Sequence, residues 1–168
     1  MNHFQLDRKN ILPGASVNVE LKSLVSEEFE GFFVQARDSG DNVIGTFETL
    51  GNDGKYVDCG DKVQSSVTHV RANFKTSVKL KWVAPSDFQG RVRILATFVT
   101  DYSTFWVKVP SVDLEVVNDL VPILKDIRPD VKDLVPILKD LKDPKPIMKD
   151  LFVKYGIWHM GAINEELQ

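Results

Sequence analysis

Cysteine occurs once in this 168-residue chain, at Cys59, so no disulfide can form within it. Histidine is almost as scarce, with His3, His69 and His159. H-x-x-x-H, C-x-x-C and G-x-S-x-G patterns are all missing, as is a glycine-rich phosphate loop. The usual local signatures of zinc, thiol-redox, serine-hydrolase and nucleotide sites are thereby excluded. There is no basic excess either: 21 Lys and Arg stand against 24 Asp and Glu, for a net charge of −3. Nucleic acid would find no electrostatic footing. No run of about 18 apolar residues offers a membrane-spanning helix. The opening MNHFQLDRKN lacks the apolar stretch of a signal peptide, which leaves an intracellular protein or a mature, trimmed form. No N-x-[ST] sequon occurs.

What the chain does have, over residues 1–115, is strand after strand. SVNVELK (16–22) alternates Val17, Val19 and Leu21 with polar residues, the period of a half-buried strand. SVKLKWVAP (77–85) does the same with Val78, Leu80 and Trp82, and Trp82 is the best core candidate. GFFVQAR (31–37) and NVIGTFE (42–48) flank DSGD, which predicts a hairpin. RVRILATFVT (91–100), TFWVKVP (104–110) and VDLEVV (112–117) follow, with GNDGK, APSDFQG and TDYS as turns. Some seven short strands without a helix between them predict a mainly β, antiparallel sandwich.

Residues 116–168 change character and read as a second unit, a proline-interrupted helical tail. DLVPILK recurs almost exactly, and Leu120, Leu124, Ile127, Val131, Leu134, Leu138 and Leu141 form a heptad seam. Ile123, Ile137, Val121 and Val135 widen it to an apolar arc of about 160°. Pro122, Pro129 and Pro136 lie on the opposite side. Each interior proline removes a hydrogen bond and costs about 3 kcal/mol, so one straight helix is not expected. Two forms remain: short helical turns each started by a proline, or a helix bent repeatedly one way. Such a segment straps its own domain, joins a second copy or lies against lipid.

The stretch FEGFFVQARDSGDNVIGTF (29–47), followed by Cys59, THV (68–70), LKWVAP (80–85), GRVRILATFV (90–99) and FWV (105–107), resembles the reeler domain. That module opens reelin and forms most of the insect defense proteins also called noduler. The resemblance covers about residues 4–115. It implies an immunoglobulin-like β-sandwich, secretion and, for the small insect members, binding to microbial surfaces. Members usually carry an N-terminal cysteine that would pair with the one matching Cys59; here it is missing. A trimmed N-terminus, a free thiol or an intermolecular disulfide each accounts for that, and the tail has no match in the short insect proteins.

Catalysis has little support. A Cys59–His69 nucleophile–base pair is conceivable in outline, but a structural or disulfide cysteine and a structural His69 hydrogen bond are the expected roles. Asp53, Asp58 and Asp61 lack the D-x-D-x-D-G spacing of a calcium loop. No cofactor or metal is expected. In Phe32–Phe33 and Phe105–Trp106, adjacent side chains face opposite ways on a strand, so one of each pair is left for an outer surface. The tail or a ligand covers that surface, and in the second case Phe33, Phe105 and Trp106 are the candidate ligand-binding residues. The expectation is a secreted, non-enzymatic binding protein that recognises microbial glycolipid or glycan. The competing reading is an extracellular structural protein assembled through its tail.

Overall fold

The computed structural model describes residues 3–23, 28–119 and 122. The seam residues Leu120, Leu124, Ile127, Val131, Leu134, Leu138 and Leu141 lie outside the described residues. The described part is a two-sheet sandwich of strands β1 (His3–Leu6), β2 (Asn10–Ile11), β3 (Ser16–Lys22), β4 (Gly31–Asp38), β5 (Thr46–Thr49), β6 (Gly54–Cys59), β7 (Lys62–His69), β8 (Ser77–Val83), β9 (Gly90–Val99), β10 (Phe105–Pro110) and β11 (Leu114–Val116).

The smaller sheet runs β1-β3-β8-β5. Its registers place Val17 opposite Trp82, Val19 opposite Leu80 and Leu21 opposite Val78, so the two alternating sequences turn their apolar sets to one face. The larger sheet runs β2-β11-β9-β4-β7-β6, and β10 also pairs with β9. β10 and β11 share one side of β9: Phe105 to Pro110 lies against Val99 to Leu95, and Leu114 to Val116 against Val92 to Gly90. Ser111 stitches the junction, its amide donating to Ile94 O and its Oγ accepting from Ile94 N at 3.0 Å.

Between the sheets lie Trp82, Phe29, Phe32, Phe47 and Phe98, all fully buried. Phe29 meets Phe98 edge-on at 5.3 Å between ring centroids and Phe32 at 6.3 Å. This is the edge-to-face geometry that aromatic quadrupoles favour.

The 31–48 segment departs from the expected hairpin. β4 belongs to the larger sheet and β5 to the smaller. Pairing between them stops at one bridge, Arg37 with Val43, supported by Ile44 N donating to Ala36 O. The chain then crosses over at Gly45, whose φ is +69°. A Cβ there would sit 2.5 Å from the Trp82 ring and from Val83 O. Only glycine fits both the left-handed backbone and the space.

GNDGK is not wholly a turn, because Gly54 and Lys55 already begin β6. β6 and β7 were missed because KYVDC and KVQSS lack clean alternation, and β1 and β2 because they are short. β2 pairs with β11 in parallel, so the sandwich is not antiparallel throughout.

Candidate functional site

Cys59 and His69 are both on the β6–β7 hairpin but at opposite ends. Cys59 pairs with Lys62 and His69 with Gly54. Seven residues of extended strand separate the two positions, roughly 23 Å, so they form no dyad. His69 Nδ1 accepts from Phe32 N at 3.2 Å, and Thr68 Oγ1 donates to Phe32 O at 2.8 Å. The imidazole therefore ties β7 to β4. It also explains the glycine of GFF, since a Cβ at Gly31 would stand 3.0 Å from the His69 ring.

Cys59 is a free, half-buried thiol. Gln35 Nε2 donates to its sulfur at 3.2 Å and to Ser66 Oγ at 2.9 Å. Arg37 Nε in turn donates to Gln35 Oε1 at 2.9 Å. The polar letters of QAR thus build a hydrogen-bonded patch on the outer face of the larger sheet, joining β4, β6 and β7. Sequence reasoning singled out Cys59 without Gln35 or Ser66. Asp53, Asp58 and Asp61 do not converge; among the described residues no three potential metal-ligating side chains cluster.

The candidate ligand-binding aromatics separate. Trp106 is partly buried against the core, opposite Phe98. Phe105, opposite Val99, is 57% exposed, and Phe33 is half-buried on the outer face of the larger sheet. Phe105 points to a larger feature, because it stands at the end of the sandwich where several loops carry apolar residues into solvent. Phe74 is 63% exposed, Tyr102 is fully exposed, and Val70 is also exposed. Sequence reasoning passed over Phe74 and Tyr102. The signal was present: aromatics inside the polar stretches RANFKT and TDYST have no core to enter.

Two devices order these loops. Lys75 is buried, and its ammonium donates to the carbonyls of Glu30, Arg71 and Asn73 at 2.9, 2.8 and 2.6 Å and to Asn73 Oδ1 at 3.0 Å. Burial pushes the amine below the usual lysine value, against the pull of Asp53 and Glu30. Glu30 N donates to Val99 O at 2.8 Å, so Glu30 links the Lys75 loop to the base of the β9–β10 turn. In that turn Asp101 Oδ1 accepts from Ser103 N, Ser103 Oγ and Thr104 N at 2.8, 2.8 and 2.9 Å. These bonds, that from Ser103 N foremost, hold its carboxyl below the usual aspartate range.

A depressed acid stabilises the fold above its ordinary value and loses that contribution as pH falls through the lowered one. The Asp101 carboxyl carbon is therefore expected to titrate with a midpoint below about 3.9, read by NMR. A midpoint at or above that value would show that the turn bonds do not form.

Residues 2–121 match the Reeler domain family. The chain is 38% identical over 106 residues to "Putative defense protein 3" of Antheraea mylitta, covering 62% of this chain and 64% of that protein. It is 32% identical over 118 residues to "Putative defense protein" of Bombyx mori, covering 67% and 68%. It is 36% identical over 107 residues to "Putative ferric-chelate reductase 1" of Danio rerio, covering 62% of this chain and 19% of that protein. The chain thus spans under two thirds of the first relative and about a fifth of the third. The crystal structure of the human F-spondin reeler domain superposes with a TM-score of 0.59 at 19% identity, covering 69% of this chain and 88% of that one. With the family match spanning well over half the sequence and the sandwich in common, the chain belongs to the reeler domain family.

Proposed function

We propose that this protein is a secreted, non-enzymatic binding protein that recognises microbial surfaces through the loop end of its sandwich. The observation that carries the reading is the group of solvent-facing Phe74, Tyr102 and Phe105 on loops and a strand end tied together through Lys75 and Glu30. Exposed aromatics on an ordered scaffold lose little conformational freedom on binding, so they favour recognition. The insect relatives named as defense proteins support the same reading.

Purified protein is expected to bind at least one of lipopolysaccharide, lipoteichoic acid and β-glucan saturably. The F74A/Y102A/F105A variant is expected to lose about tenfold or more in affinity, since each exposed anchor contributes on the order of 1 kcal/mol. No saturable binding to any of the three would end this reading.

The repeat of DLVPILK favours a second one, assembly through residues 118–168. Under it, removing those residues abolishes a concentration-dependent larger species in light scattering. A 19.0 kDa monomer at all concentrations would count against it.

A further inference from the structure

From the residues on the outside of the larger sheet we infer that this face is closed by the chain's own tail, with the apolar seam of residues 120–141 seated on Phe33, Leu95 and Val99. A sheet with one face in water alternates apolar and polar residues cleanly, whereas one covered on both faces carries near-continuous apolar runs. The smaller sheet is of the first kind. On its outer side Asn18 stands opposite Lys81, Glu20 opposite Lys79 and Glu48 opposite Lys81. The larger sheet is of the second kind. GFFV in β4 and LATFV in β9 bury Phe32, Val34, Ala96 and Phe98 toward the core and turn Phe33, Leu95 and Val99 outward.

The register gathers these three into one patch. Phe33 pairs with Thr97, which puts Leu95 and Val99 on its diagonals. The polar neighbours suit a covered face: Gln35 and Ser66, on the same outer side, are buried and bonded to each other at 2.9 Å. Among the described residues every strand belongs to one of the two sheets, so none lies over this face.

The tail fits by position and length. Val116 pairs with Gly90, so the chain leaves β11 beside the start of β9. From there to Val99 is roughly 30 Å of strand, and residues 120–141 in helical form span roughly 30 Å as well. The seam from Leu120 to Leu141 supplies the apolar side that such a face accepts. A tail held by its own sandwich is not free to join a second copy, so the inference stands against assembly through residues 118–168. It leaves the recognition reading untouched, since Phe74 and Tyr102 lie on loops rather than on this face.

The test is methyl NMR on the full chain. Nuclear Overhauser contacts are expected from the Leu95 and Val99 methyls or the Phe33 ring to methyls of Leu124, Val131 or Leu138. They should keep their intensity per labelled molecule when labelled protein is diluted into unlabelled. The Leu124→Asp, Val131→Asp, Leu138→Asp variant is expected to lose them while its sandwich amide signals stay in place. Trypsin should cut that variant at Lys125, Lys132 and Lys139 about tenfold faster than the unaltered chain. Contacts that fade on dilution with unlabelled protein would overturn the inference in favour of a second copy's tail. No contact between the seam and this face, with the unaltered chain cut as fast as the variant, would overturn it outright.

Discussion

Replacing Trp82 with alanine is expected to lower the unfolding free energy by about 3–5 kcal/mol, the range for truncating a fully buried tryptophan. Trp82 is buried where β3, β5 and β8 meet, opposite Val17 and Phe47. Its Nε1 donates to Ile44 O at 3.1 Å, fastening the crossover between the sheets. The alanine variant leaves a cavity and strands that carbonyl together. Trp82→Phe separates the two effects: most of the volume stays, and the cost falls to about 1–3 kcal/mol for the unpaired carbonyl. Denaturant melts of both variants decide the matter. A loss below about 1 kcal/mol for Trp82→Ala would mean that the core relaxes around the missing ring, contrary to the packing described.

Lys75→Met is expected to act differently. Methionine keeps the apolar stem but offers no donor to Glu30 O, Arg71 O and Asn73 O. Leaving such acceptors unpaired costs about 1–3 kcal/mol. The more telling readout is local: amide exchange should accelerate through residues 70–76 before it does in β3, β8 or β9. Binding at the loop end should weaken with it, because Phe74 loses its fixed position. Unchanged exchange in that loop would show that the ammonium is not its pin. The pH dependence adds a second signature. The Lys75 amine is held below its ordinary value, so the unfolded chain binds more protons in the window between. Stability should therefore rise as pH climbs from the lowered value toward about 10.4. In Lys75→Met this rise should be missing.

The strands that were legible in the sequence are those that bury one face. SVNVELK and SVKLKWV announce themselves because Val17, Val19, Leu21, Val78, Leu80 and Trp82 repeat at period two, and the structure pairs them residue for residue. The β6–β7 hairpin was hidden. It lies at the margin of the larger sheet, where Lys55, Tyr56, Val63 and Gln64 are exposed and the buried positions of β7 include Ser65 and Ser66, so no apolar pattern marks it. The polar stretches around Phe74 and Tyr102 do mark both as loop aromatics; that their loops meet at one end of the sandwich is set only by the fold.

By itself the sequence determined the class of the fold, its mainly β content, the identity of Trp82 as a core residue and the resemblance to the reeler domain. All of these depend on local periodicity or on residues close in the chain. The tertiary structure decided that β4 and β5 part company at Gly45, because the Trp82 ring occupies the space a side chain would need. It also separated Cys59 from His69 by fixing the register of their hairpin. Finally, it gathered the β7–β8 loop and the β9–β10 turn around Glu30, through a buried ammonium and one backbone hydrogen bond. Contacts between residues 45 and 69 positions apart leave no periodic trace in a sequence; only closing the sandwich brings them together.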